Sequence, residues 1–234
     1  MTTYKEIFGK PVKVLSTDPT DAQAEGQVWY NTTDGVFKTV LSVGAWSSGG
    51  ALNTARKNNS GAGTVPAGLT FGEMPGLSAN SEEYDGTSWT EVNDLNTARY
   101  YVSGCGSTTA GLVVSGFNGS AITPQAETWN GTSWTEVAEV NTARFFSGTA
   151  GTQTLAITFG GRPPAPGRAL NESWNGSSWT EVADLATARA DLPGAGTGTL
   201  ALAISGATAP ATQTAVTEEW TVPSSVNNLT VASS

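Results

Sequence analysis

An all-β fold is expected from three features of this sequence: an internal repeat, short apolar runs closed by glycine, and tight Asx-Gly turns between them. The repeat carries most weight. The segment YDGTSWTEVNDLNTAR at 84–99 returns as WNGTSWTEVAEVNTAR at 129–144 and as WNGSSWTEVADLATAR at 174–189. Incomplete copies flank these: AWSSGGALNTAR at 45–56 keeps the second half, and EEWTVPSS at 218–225 keeps the first. Arg56, Arg99, Arg144 and Arg189 are separated by 43, 45 and 45 residues, and Trp46, Trp89, Trp134 and Trp179 keep the same intervals.

Each unit of about 45 residues reads as four strands in succession. The first is made of small residues, such as Gly61-Ala62-Gly63 and Gly194-Ala195-Gly196, which suit strands crowded near an axis. The second is apolar, as in GLVVSG at 111–116 and LAITFGG at 155–161, and it closes on Gly72, Gly116, Gly161 or Gly206. The third ends at Tyr84, Trp129, Trp174 or Trp220. A DGTS, NGTS or NGSS turn then leads to a fourth strand carrying Trp and the TEV triplet. Asp-Gly and Asn-Gly supply the positive φ that tight hairpins need.

A four-stranded unit cannot bury its apolar face alone; stacking such units around an axis gives a β-propeller, here of four blades. The permuted ends suggest a closure. Residues 45–50 are expected to supply the outer strand of the blade whose other strands lie within about 189–222, protecting edges that would otherwise be open. The expected division is an N-terminal region at 1–44, the propeller at 45–222, and a tail at 223–234.

Each unit resembles a kelch repeat. The residues that carry the resemblance are Arg56, Arg99, Arg144 and Arg189 before the first strand, Gly160-Gly161 after a second strand, and Glu82, Glu127, Glu172 and Glu218 in the third. The fourth-strand tryptophans complete the pattern. The chain departs from the family in its shorter third turn, in keeping only one double glycine, and in having four blades. The N-terminal region differs in kind: 19–40 reads as a loop followed by a hairpin, with VWY and VFKTV strands around a TTDG turn. The phrase EGQVWYNTTDGVFK at 25–38 resembles a short motif of tail-fibre and other virion proteins of tailed bacteriophages, where AWSSGG-like and NTAR-like repeats follow it.

That likeness implies a virion structural protein (a tail fibre, appendage or decoration) made in the host cytoplasm. Residues 1–44 would attach it to other virion proteins, with Trp29, Tyr30 and Phe37 as assembly residues and the hairpin at 27–40 as a place for chains to pair. The propeller would face outward, with host-surface polysaccharide as its candidate partner. The rival reading is a stand-alone carbohydrate-binding or receptor-binding module.

Charge and composition narrow the field. Among 234 residues, 11 Lys and Arg face 20 Asp and Glu for a net charge of −9, which repels nucleic acid and anionic membranes. Four of the cations and five of the acids lie in residues 1–44, so the repeats hold nearly all the excess negative charge. The opening residues contain no apolar run of signal-peptide length, and no 18-residue apolar stretch occurs, so neither secretion nor membrane insertion is expected. The chain has one cysteine and no histidine, which leaves no internal disulfide and no zinc site of the usual kind. No catalytic residue, metal site or cofactor is therefore expected.

The repeated side chains read as scaffold. An Arg and a Glu at fixed places in every unit suggest one ion pair made four times, and the fourth-strand tryptophans suggest packing between blades rather than a sugar-stacking surface. Cys105 stands where other units have Ala62, Ala150 and Ala195, so it is expected to be a small buried residue. The loops between second and third strands vary instead. The one at 162–170, with Arg162, Pro163, Pro164 and Arg168, is basic on an acidic domain and is the expected site for a partner or glycan.

Overall fold

The computed structural model describes residues 6–7, 10–19, 28–39, 46–74, 76–162, 168–209 and 212–222. All of their regular structure is β, as expected, and none of it is a helix long and apolar enough to cross a membrane. The chain divides into two compact units, residues 1–48 and 49–234.

In the first unit, β1 (Glu6–Ile7) pairs with β2 (Lys10–Pro11), and β3 (Lys13–Leu15) runs parallel to β4 (Val28–Asn31). β4 and β5 (Val36–Thr39) form the expected hairpin, in the register Val28↔Thr39 to Asn31↔Val36. The Asn31 carboxamide oxygen closes the turn by accepting the amides of Thr33 and Asp34, at 2.9 and 3.0 Å. Asp18 organises what the hairpin leaves open. Its carboxylate accepts from Trp29 Nε1 at 3.0 Å, Asn31 Nδ2 at 2.7 Å and Lys38 Nζ at 2.7 Å, and these bonds, led by Lys38, hold its pKa at about 2.

The second unit holds the repeats. β6 (Ser60–Thr64), β7 (Ala67–Glu73), β8 (Ser78–Tyr84) and β9 (Trp89–Val92) form one antiparallel sheet in chain order. β10 (Ser103–Gly106), β11 (Gly111–Val114), β12 (Ala126–Trp129) and β13 (Trp134–Val137) form the second. β14 (Gly148–Gly151), β15 (Ala156–Phe159), β16 (Asn171–Trp174) and β17 (Trp179–Val182) form the third. The fourth contains β18 (Gly194–Gly196), β19 (Leu200–Ile204) and, beyond a small hairpin of β20 (Ala207–Ala209) and β21 (Thr212–Gln213), β22 (Thr217–Thr221). The Asx-Gly turns fall between third and fourth strands; in the second sheet Asn130 Oδ1 accepts both the Thr132 and Ser133 amides at 2.9 Å.

The sheets stack through three apolar layers. Leu69 and Phe71 of the first sheet meet Val113, Trp129 and Trp134 of the second. Leu112 and Val114 of the second, with Cys105, meet Ala156, Trp174 and Trp179 of the third. Ile157 and Phe159 of the third, with Ala150, meet Ala201 and Ala203 of the fourth. Alternate residues of each second strand thus face opposite neighbours, which is why all four residues of β11 and of β15 are buried. The glycine-rich first strands let the sheets approach: a Cβ on Gly104 would lie 2.5 Å from Phe71 Cζ, and one on Gly194 would lie 2.6 Å from the Thr149 carbonyl oxygen.

Of the expected closing strand at 45–50, residue 45 lies outside the described residues and 46–50 form no strand. Trp46 is fully exposed, and the fourth sheet has three strands among the described residues. The local sequence accounts for this. Its WSSGG run lacks the TEV strand residues of the other units, and Gly50 lies against the backbone of Thr87 and Ser88, so close that a Cβ there would be 2.5 Å from the Thr87 oxygen.

Candidate functional site

The repeated Arg and Glu side chains are buried inside their own sheets, except Glu218, which is 21% exposed. Glu127 accepts from the backbone amide of Asn96 at 2.8 Å, from Asn96 Nδ2 at 2.9 Å and from Arg99 Nη2 at 2.9 Å, while Arg99 Nη1 donates to the Gln125 carbonyl at 3.0 Å. The same latch joins Arg56 to Glu82, Arg144 to Glu172, and Arg189 to Glu218. Asn53 and Asn141 repeat the role of Asn96, whereas Ala186 supplies only its amide. Burial pushes the Glu82 carboxyl up, but the Asn53 bonds and the Arg56 charge outweigh it, leaving a lowered pKa. Burial lowers the pKa of Arg99 against the opposing pull of Glu127. These groups fix where the chain enters each sheet.

Two of the fourth-strand tryptophans, Trp134 and Trp179, join neighbouring sheets, whereas Trp89 packs on Tyr84 of its own sheet. Trp134 Nε1 donates to Ser81 Oγ of the preceding sheet at 3.0 Å, and Trp179 Nε1 donates to the Ala138 carbonyl at 3.0 Å. Cys105 is 9% exposed, and burial raises its thiol pKa to about 12, so it stays protonated at neutral pH. Among the described residues no group of three or more His, Cys, Asp or Glu could hold a metal ion.

Two sets of expected site residues are placed differently. Trp29, read as an assembly residue, is 3% exposed, and its Nε1 donates to Asp18. Tyr30 is half-buried and packs edge-on against Phe37, ring centroids 5.2 Å apart, leaving Phe37 as the exposed member of the set. In the basic loop, Arg162 is not a free cation: it pairs with Asp191 and lies over the Phe146 ring, 5.5 Å from its centroid. Arg168 is half-buried, and Pro163 and Pro164 lie outside the described residues.

The geometry points to a different site. Two residues after each repeat arginine stand Asn58, Tyr101, Phe146 and Asp191, all in the left-handed region with φ of 55–57°. Tyr and Phe rarely adopt that conformation, and the strain is sustained by surrounding bonds. A backbone ladder holds it: Tyr101 N donates to Asn58 O at 3.0 Å, Phe146 N to Tyr101 O at 3.3 Å, and Asp191 N to Phe146 O at 2.9 Å. The result is a cleft of about 240 Å³ to which all four repeats contribute, lined by Asn58, Asn59, Tyr101, Phe146, Ser147 and Asp191 among others.

Tyr101 and Phe146 line the cleft and are continuous with further half-exposed rings beside it. Tyr101 lies 4.0 Å from Phe146 and 4.6 Å from Tyr100, centroid to centroid, and Phe145 and Phe117 extend the cluster. Around it stand the amides of Asn58 and Asn59 and the Arg162–Asp191 pair. Aromatic faces beside amide and carboxylate groups suit a ligand with both C–H faces and hydroxyls. The small-residue reading of these strands hid the site, although the Tyr100-Tyr101 and Phe145-Phe146 doublets, at register positions held by Lys57-Asn58 and Ala190-Asp191 elsewhere, were a visible signal.

Compared with known proteins, the chain matches no family profile and no curated protein.

Proposed function

We propose that this chain is a non-catalytic virion appendage protein of a tailed bacteriophage. In this reading its sheets are four kelch-like propeller blades, and the cleft at Tyr101 and Phe146 binds a carbohydrate of the host surface. The observation that carries the binding role is that cleft, where strained aromatic residues from successive repeats meet beside paired and amide polar groups. Aromatic rings stack on the C–H face of a pyranose, and Asn and Asp side chains bond its hydroxyls. The virion setting is supported by the resemblance of residues 25–38 and of the repeats to phage structural proteins. Residues 1–44 then serve attachment to other virion proteins, with Phe37 as an exposed apolar contact. A non-enzymatic role is supported by the lack of histidine and by the buried, protonated Cys105.

A glycan array tests the binding role. At least one bacterial surface saccharide should bind, and Tyr101→Ala should weaken it by roughly tenfold or more, about 1.4 kcal/mol, with the circular dichroism spectrum unchanged. An array without hits, or affinity indifferent to Tyr101, leaves the chain a structural display protein and ends the adhesion reading.

A further inference from the structure

The stacking of sheet on sheet is made three times and then stops, leaving two unlike faces open. On the fourth sheet, Leu202 is 36% exposed, whereas Leu69, Leu112 and Ile157 at the same register are at most 1% exposed. Ile204 is half-buried where Phe71, Val114 and Phe159 are buried. On the first sheet, Tyr84 and Trp89 are half-buried where Trp129, Trp174, Trp134 and Trp179 are buried. A groove of about 410 Å³ runs along this face, lined by Leu52, Gly61, Gly68, Thr70 and Trp89 among others.

We propose that the open face of the fourth sheet in one copy packs onto the open face of the first sheet in a second copy of this chain, head to tail. The two faces match because they continue an interface the chain already makes. Between first and second sheets, Leu69 lies against Gly111 and Phe71 against Gly104; their Cβ positions are 3.1 and 2.5 Å from the two side chains. Strand register puts Leu202 opposite Gly68 and Ile204 opposite Gly61 in the proposed contact, and both glycines line the groove.

The polar pairs match as well. Glu83 accepts from Trp129 Nε1 at 3.1 Å and Ser81 Oγ from Trp134 Nε1 at 3.0 Å across the first interface. The corresponding positions are Glu219 and Thr217, both exposed, facing Tyr84 and Trp89. Among the described residues the Tyr84 hydroxyl and Trp89 Nε1 make no hydrogen bond, whereas Trp134 and Trp179 Nε1 both do. The occupant is a second copy rather than the chain's own first sheet for a geometric reason. Three consecutive interfaces set the step between sheets, and the backbone ladder from Asn58 through Tyr101 and Phe146 to Asp191 is left open. Within one chain the two faces do not cover each other, since Leu202 stays exposed and the groove beside Trp89 is unfilled, so the matching face comes from a second copy. Two copies in this arrangement form a ring with two identical contacts, eight sheets in all, within the range of propeller blade numbers.

Light scattering on the full chain at tens of micromolar should give the mass of two chains, and Leu202→Asp, on an exposed position, should halve it. A monomeric parent, or a dimer indifferent to Leu202→Asp, overturns the proposal. Cross-linking supplies a second readout that does not depend on that variant. Mixing the Leu202→Cys chain with the Gly68→Cys chain and a short bismaleimide should give a two-chain product that neither gives alone, Cys105 being buried. If instead the chain carrying both substitutions is cross-linked internally as a monomer, the ring closes on itself and the proposal fails.

Discussion

Two arginine–carboxylate pairs in this protein look alike on paper and differ in consequence. Arg99 and Glu127 are fully buried, and the carboxylate's remaining capacity is filled by Asn96 and Thr97. Arg162 and Asp191 are 27% and 36% exposed, so water screens their attraction. Glu127→Gln keeps the shape but strands a buried guanidinium, and should cost about 3–5 kcal/mol of unfolding free energy. Arg162→Ala should cost no more than about 1 kcal/mol. Urea denaturation of both variants checks the contrast. Equal losses would mean that the latch is not what ties each chain entry to its sheet.

Among the strands, β11 and β19 occupy the same place in their sheets and differ in what covers them. All four residues of β11 are buried, because sheets lie on both sides, whereas Leu200 and Leu202 of β19 are exposed. Leu112→Ala therefore removes a side chain from a filled layer and should destabilise the fold by about 2–5 kcal/mol. Leu202→Ala should cost the individual chain a small part of that. Thermal unfolding at dilute chain concentration measures both; a Leu202→Ala loss as large as that of Leu112→Ala would show that β19 is covered on both faces within one chain. The alternation along these strands also explains why apolar runs such as GLVV show no polar interruption.

For the whole molecule, acid should be the sensitive direction. Glu82, Asp85 and Asp18 have lowered pKa values in the folded protein, so each contributes stability above its unfolded value, 4.5 for Glu82 and 3.8 for the aspartates, that is lost as pH falls through the folded value. With no histidine present and Cys105 at about 12, no such change is expected between pH 5 and 8. The urea midpoint should stay level across that range and fall below about pH 4.5. A level midpoint down to pH 3 would contradict the assigned carboxylate bonds.

Much of the fold was legible because the repeat forces it. Sixteen-residue copies spaced by 45 residues place the same turn, the same arginine and the same indole at each recurrence, and the local bonds of Asp85, Asn130 and Asn175 suffice to form the turns. The hairpin at 28–39 was legible for the same reason, its turn being written in Asn31 and Gly35. What tertiary structure alone decided lies where distant segments meet. Trp29 faces inward because Asp18, eleven residues away, binds it, and Trp46 finds no sheet although it shares the repeat's spacing. The cleft at Tyr101 and Phe146 exists because a backbone ladder brings successive units together. A repeat specifies the step from one unit to the next through short-range contacts, but whether four such steps close a ring depends on the sum of their angles, which no single unit encodes.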